Sequence, residues 1–363
     1  MVNMPSTLLR TSVLLGLALV ACKPDIEGSA SVIDSPRVLA IKSEPAETAP
    51  KSATPATVTW SALYVGPDGD EDPAKLDWGL CIQRKPLAAA GEISPACLIP
   101  LDEDPDGLSL IPLGGGASVM GLLPDDGCRQ FGPNPPVPKA GEPAPRPTDP
   151  DATGGFYQPL RLAANEPSGP EYSVGLTRIS CGIARVSAEQ VTDYQNRYRP
   201  NENPALLGVV VGPGREDAPL TADEATTATV KAGSHVTFRA SWFDCPTTPE
   251  CGNTFCEANE DRESCPEDCK DNPHGCSGSE PYIAFDLGLR QLVARREGMR
   301  VSWYGTGGSF DHDRSGRAES GASVPFSDNT WVAPSHAGNV RLWAILRDDR
   351  GGVDYASYFV RVE

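Results

Sequence analysis

Proline and glycine each occur 36 times among the 363 residues, and they stand between short runs in which apolar and polar side chains alternate. Proline lacks a backbone donor and locks φ, and this density of punctuation limits the chain to short strands joined by turns. The runs RVLAIKSEP, ATVTWSALYVGPDG and LDWGLCIQR, starting at Arg37, Ala56 and Leu76, carry the pattern first. Val58, Trp60 and Ala62 share one face of the second run, and Leu76, Trp78 and Leu80 one face of the third, as half-buried antiparallel strands require. FYQPLRLAA and YSVGLTRISCGIARV continue it, with Tyr172, Val174 and Leu176 alternating.

One segment breaks the rhythm. Ser187 and Gln190 have the spacing of a capping box, and Val191, Tyr194 and Tyr198 follow at helical intervals before Pro200. A short helix over 188–200 is expected there, a connector that packs an aromatic stripe. Alternation then resumes, in Val236, Phe238, Ala240 and Trp242, in Val301 and Trp303, in Val340, Leu342, Ala344 and Leu346, and in Tyr358, Val360 and Val362. Short strands at this spacing predict an all-β chain of two tandem antiparallel β-sandwiches. The first is expected over 37–187, with a Pro-rich surface loop at about 124–154, and the second over 205–363. The W-x-x-x-G-G-x-F run, the T-W-x-A-P run and the alternation into D-D-x-G-G, from about Met299 to Glu363, resemble immunoglobulin-like and PKD-like modules of bacterial surface proteins. That resemblance implies an immunoglobulin-like fold and leaves function open.

The first 22 residues have a different character. Arg10 is followed by a weakly polar to apolar run from Thr11 to Ala21, with the length and flanks of a signal-peptide core. As a helix it covers roughly 16 Å, about half a bilayer's hydrocarbon thickness. Leu19-Val20-Ala21-Cys22 resembles the lipobox of bacterial lipoproteins. The resemblance implies a signal peptide over 1–21, cleavage after Ala21, and lipid on Cys22 as the membrane anchor. Lys23 in place of Asp at the next position implies the outer membrane of a Gram-negative cell envelope. Residues 22–36 are expected as the lipidated cysteine and a flexible tether.

Eleven cysteines are present. Without Cys22, ten remain in a chain expected outside the reducing cytosol, which suits five disulfides. Cys81, Cys97, Cys128 and Cys181 lie in the first sandwich. Of their three pairings, Cys81 with Cys97 and Cys128 with Cys181 is preferred. Cys245, Cys251, Cys256, Cys265, Cys269 and Cys276 form a disulfide-rich insertion over 245–276 of the second domain, where fifteen pairings stay open. Its motif resembles a cysteine-rich module of secreted proteins, CGxGxCxxGExxxxCPxDC, and departs from it at Thr254 and Asn259. Asn253, Glu257, Glu260, Asp261 and Asp268 are oxygen donors in this loop, so calcium is carried as a candidate cofactor, although the spacing is not that of an EF-hand.

A formal net charge of −18 argues against nucleic acid as a partner. Catalytic signatures fail. Val211-Gly212-Pro213-Gly214 lacks the third glycine and helix of a dinucleotide loop, and Gly116-Ala117-Ser118-Val119-Met120 lacks the last glycine of a nucleophile elbow. Asp311-His312-Asp313 is a local trio in a polar loop. The expected role is therefore non-catalytic, structural or adhesive: an envelope lipoprotein whose sandwich loops and cysteine-rich knot bind another envelope protein, a glycan or a surface. The alternatives are a lipid-anchored hydrolase with a loop-built site and a calcium-dependent adhesin. A deep pocket joining His235 or His312 to carboxylates would favour the hydrolase.

Overall fold

The computed structural model describes residues 30–48, 56–86, 89–125, 127–130, 140–141, 154–184, 186–212, 218–245, 251–252, 260, 263–269, 278–321 and 324–363. Strands β1 (Arg37–Glu44), β2 (Glu47–Thr48), β3 (Thr57–Gly66), β4 (Gly69–Asp70), β5 (Leu76–Cys81), β6 (Leu110–Gly115), β7 (Ser118–Leu122), β8 (Gly155–Glu166) and β9 (Gly169–Ser180) build the first sandwich. One sheet sets β3 between β1 and β7 with β4 at its turn, and the other runs β2-β9-β8-β5-β6. Alternation turns Val58 and Trp60 of β3 onto Leu76, Trp78 and Leu80 of β5 and Leu160 and Leu162 of β8. A buried indole needs an acceptor. Trp60 Nε1 donates to Thr177 Oγ1 at 2.7 Å and Trp78 Nε1 to the Gly116 carbonyl at 2.7 Å.

A helical turn, α1 (Gly127–Gln130), precedes β8, and α2 (Ala188–Arg197) leads out of the first sandwich. Ser187 Oγ accepts from the Gln190 N–H, and Gln190 Oε1 accepts from the Ser187 N–H at 3.1 Å, so the capping box forms. Tyr198, at the helix C-cap, is already extended, and its ring stacks on Tyr194 at 4.7 Å.

The second sandwich uses β10 (Leu206–Val211), β11 (Ala218–Pro219), β12 (Thr229–Val230) and β13 (His235–Trp242), then a hairpin of β14 (Pro281–Asp286) and β15 (Gln291–Arg296). It continues through β16 (Met299–Gly305), β17 (Ser309–Phe310), β18 (Arg314–Arg317), β19 (Phe326–Val332), β20 (Gly338–Arg347) and β21 (Val353–Val362). The sheets run β11-β10-β13-β19-β17 and β12-β21-β20-β16-β18, an immunoglobulin-like arrangement around Phe238, Trp242, Trp303, Trp331, Leu342 and Val360. Phe238 stacks on Trp331 at 5.3 Å. All six tryptophans of the chain are buried.

Strand β20 is covered on both sides. Leu342, Ala344 and Leu346 enter the core of their own sandwich, whereas Trp343 and Ile345 pack with Val353 against Leu39, Ala40, Leu63 and Val65 of the first. A second, interdomain core therefore joins the sandwiches face to face. Lys42 Nζ meets Asp354 at 3.1 Å, and Arg347 Nη2 donates to the Leu39 carbonyl at 2.8 Å across the same contact.

Two boundaries differ from the sequence reading. The stretch 22–36, expected as a flexible tether, ends inside the fold. Ser31 and Ile33 are buried, the Ile33 N–H donates to Gly305 O and the Gly305 N–H donates to Ser31 O, both at 2.9 Å, and Ile33 joins the interdomain core. The signal peptide and Cys22 lie outside the described residues. So does most of the Pro-rich loop. The insertion also extends past 245–276, because the β14–β15 hairpin follows the cysteines before β16 re-enters the sheet.

Candidate functional site

Disulfides join Cys81 to Cys97 and Cys128 to Cys181, the preferred pairing, with Cα separations of 5.7 and 5.4 Å. In the insertion Cys251 is bonded to Cys265, and Cys245 and Cys269 are also in disulfides. Cys256 and Cys276 lie outside the described residues, as do the calcium candidates Asn253, Glu257 and Asp261. Of the other two, Asp268 accepts from the Gly252 N–H at 2.5 Å, and Glu260 is buried. Among the described residues, the metal-ligand types that converge are Cys251, Glu260 and Cys265, within 4.8 Å of one another. Both sulfurs are already joined in the disulfide, so this trio offers no thiolate and a single carboxylate, short of the oxygen set that calcium takes.

The trio Asp311, His312 and Asp313 is exposed in the β17–β18 turn. Its backbone is structural: Asn329 Nδ2 donates to His312 O at 2.7 Å and the Trp303 N–H to Asp313 O at 3.0 Å. His235 is exposed at the start of β13.

The sequence reading missed the junction. Glu47 of β2 and Arg178 of β9, from the first sandwich, meet Arg350 of the β20–β21 turn and Glu280 and Glu297, which flank the β14–β15 hairpin. Tyr198 and Asn201 of the linker close the group. Arg350 Nη2 donates to Glu47 at 3.0 Å, to Tyr198 Oη at 3.1 Å and to the Arg199 carbonyl at 2.7 Å. Its Nη1 donates to Glu297 at 3.2 Å and lies 3.6 Å from Glu280. Arg178 Nε lies 3.2 Å from Glu47, which also accepts from Ser180, Tyr198 and the Asn201 N–H. Asp348 accepts from the N–H groups of Arg350 and Gly352, both at 2.8 Å, and from the Asn201 amide. A Cβ on Gly352 would collide with the Asp348 carboxylate, so this tight turn demands glycine.

All these charged side chains are buried. Burial raises the pKa of Glu280, Glu297 and Asp348 above the ordinary carboxylate range, and the pull of Arg350 does not offset it. Burial works against the Arg350 charge too. Tyr198, Glu297, Glu47 and Glu280 together outweigh it and hold the guanidinium above its ordinary value. A buried ion network of this kind is a lock: removing one member strands the others without water.

Beside the lock, the sandwiches leave a cleft of about 650 Å³. Ile41, Tyr157, Val174 and Leu176 line it from the first sandwich, and Arg300, Ser302, Tyr304, Arg314, Arg347 and Asp349 from the second. Neither His235 nor His312 reaches it.

No protein-family model matches the chain, and no curated protein does. Solved structures with some likeness include the D0-D1 domain of Intimin, at 8% identity over 89% of this chain and 98% of that one, with a TM-score of 0.20. The C-terminal domain of the Streptococcus pyogenes antigen I/II-family protein AspA gives 10% identity over 91% and 99%, with a TM-score of 0.22. Domains 1-6 of surface layer protein SbsC give 10% over 90% and 28%, with a TM-score of 0.17. Such low TM-scores carry neither fold nor function from those proteins to this one. The immunoglobulin-like description rests on the strand order and cores given above.

Proposed function

We propose that this chain is a non-catalytic binding protein of the bacterial cell envelope, anchored by lipid on Cys22, with two β-sandwiches locked at a fixed angle around a ligand cleft. The observation that carries the binding reading is the junction. Buried ions and an apolar contact hold the two cleft walls in one relation, which spares a ligand the cost of ordering them. The histidines that the sequence offered for acid–base work, His235 and His312, lie outside the cleft. No helix among the described residues is long and apolar enough to cross a membrane, and the sequence from Leu19 to Cys22 supports lipid as the anchor. The preferred partners are another envelope protein or a glycan.

Two measurements test this. Cys22→Ala should release the protein from membranes or leave it unprocessed; a mature, cleaved variant that still fractionated with membranes would refute the anchor. Isolated envelope glycans should be retained by the intact protein and recovered with unchanged length and composition. Shortened or trimmed products would refute the non-catalytic reading.

A further inference from the structure

The cleft wall of the second sandwich carries three guanidiniums that meet no carboxylate among the described residues. Arg300 of β16 stands directly opposite Arg347 of β20, and Ser302, two residues along β16, stands opposite Arg314 of β18. Directly paired residues share a face of a sheet, as do residues two apart on one strand, so the three arginines form one patch. Arg300 and Arg314 make no hydrogen bond or ion pair among the described residues, and Arg347 makes only neutral ones there, to Ser302 Oγ at 3.3 Å and Leu39 O.

This arrangement opposes the character of the rest of the molecule. The chain has 49 acidic residues to 31 lysines and arginines, so counter-charge is plentiful, yet none of the described carboxylates is spent here. Like charges directly opposite each other on a sheet are destabilising. The arginines feel one another: burial disfavours the charge on Arg347, and Arg314 adds to that effect against the opposing influence of Tyr304. The acids that do line the cleft are placed otherwise. Asp348 is engaged by Asn201 and the turn N–H groups, Asp349 takes a hydrogen bond from the Gly298 backbone, and Glu92 is exposed.

The geometry points to an oxyanion site: Arg300, Arg314 and Arg347 bind a carboxylate or phosphate group on a ligand seated in the interdomain cleft. A guanidinium presents paired donors in a plane that matches either group. Arg347 is half-buried, and Arg300 and Arg314 are exposed at the mouth of the cleft, where a ligand arriving from solvent can reach both. The volume of the cleft is that of a small-molecule site, and Tyr157 and Tyr304 add ring surface beside the patch. The inference rests on the binding reading and supplies its ligand class.

The test is calorimetric titration of the intact protein at low ionic strength with sodium glucuronate, sodium phosphate and glucose. Glucuronate, phosphate or both should bind, and glucose should not; the anion that binds names the source of the group. Arg314→Ala and Arg300→Ala should each weaken binding by roughly tenfold or more, the equivalent of one lost charge-assisted hydrogen bond. Their melting temperatures should equal or exceed that of the parent, because each removal relieves repulsion. No heat with either anion, equal binding of glucose, or affinity unchanged in the double variant would overturn the site. Membrane fractionation of Cys22→Ala is independent of all these outcomes, so failure here leaves the envelope reading separately testable.

Discussion

Replacing Arg350 with methionine keeps most of the side chain's length and removes the charge at the centre of the lock. In the parent the guanidinium reaches Glu47, Glu297, Tyr198 and the Arg199 carbonyl, and its residue is 5% exposed. Removing one partner from a buried pair costs about 3–5 kcal/mol, since the stranded charge cannot be hydrated. A cooperative unit of about 330 residues unfolds with an entropy of roughly 0.7 kcal/mol/K, so the melting temperature should fall by about 4–7 °C. Differential scanning calorimetry at pH 7.5 reads this directly. The parent should melt in one transition, because the interdomain core and the lock couple the sandwiches. Arg350→Lys should fall between parent and methionine variant, keeping the charge and losing the planar fork. A methionine variant within about 1 kcal/mol of the parent, or a lysine variant no better than methionine, would refute charge pairing as what holds the junction.

The same network predicts an unusual response to acid. Glu280, Glu297 and Asp348 have native pKa values raised above their ordinary values of 4.5 and 3.8 by burial, among Arg350, Glu202 and Asn201. Their contribution to stability is complete below the ordinary values and is lost as pH rises through the raised ones. Melting temperature should therefore rise on acidification from pH 8 toward pH 5, and Glu280→Gln should flatten that slope; a parental slope of the opposite sign would count against it. The disulfides should differ in weight. Their sequence separations are 53 for Cys128–Cys181 and 16 for Cys81–Cys97, and chain entropy gives about 4 and 3 kcal/mol. Urea titration of the paired Cys→Ala variants should place the first roughly 1 kcal/mol below the second, and the reverse order would show that loop closure does not dominate.

The strands were legible because each buries alternate residues against one core. Val58 and Trp60, or Phe238, Ala240 and Trp242, announce their faces by period alone. The junction was not legible, for a physical reason. Glu47, Arg178, Tyr198, Glu280, Glu297, Asp348 and Arg350 are polar residues spread over 300 positions, most of them at turns and strand ends, where polarity is the ordinary expectation. A signal existed in β20: Leu342 to Leu346 is an unbroken apolar run, all of it buried. Read as alternation, it yields Leu342, Ala344 and Leu346; read as continuous, it says that both faces are covered. Tyr198 was placed in an aromatic stripe, and its ring does stack on Tyr194. Its hydroxyl, which donates to Glu47, has no counterpart in a pattern of hydrophobicity. The arginine patch was hidden by register, since Arg300, Arg314 and Arg347 become neighbours only once β16, β18 and β20 are aligned.

The short pairing of Ser31 to Ile33 with Gly305 has a mechanical meaning. The chain touches the second sandwich before it enters the first at β1, and Ile33 is clamped in the apolar contact between them. A pull on the N-terminal side is thus delivered to the seam of the molecule and to the end of β16 in the later sheet, ahead of the strands of the first sandwich. Tension from that end would test the seam before it tested the hydrogen-bonded sheets of either sandwich, and the seam is where the cleft opens.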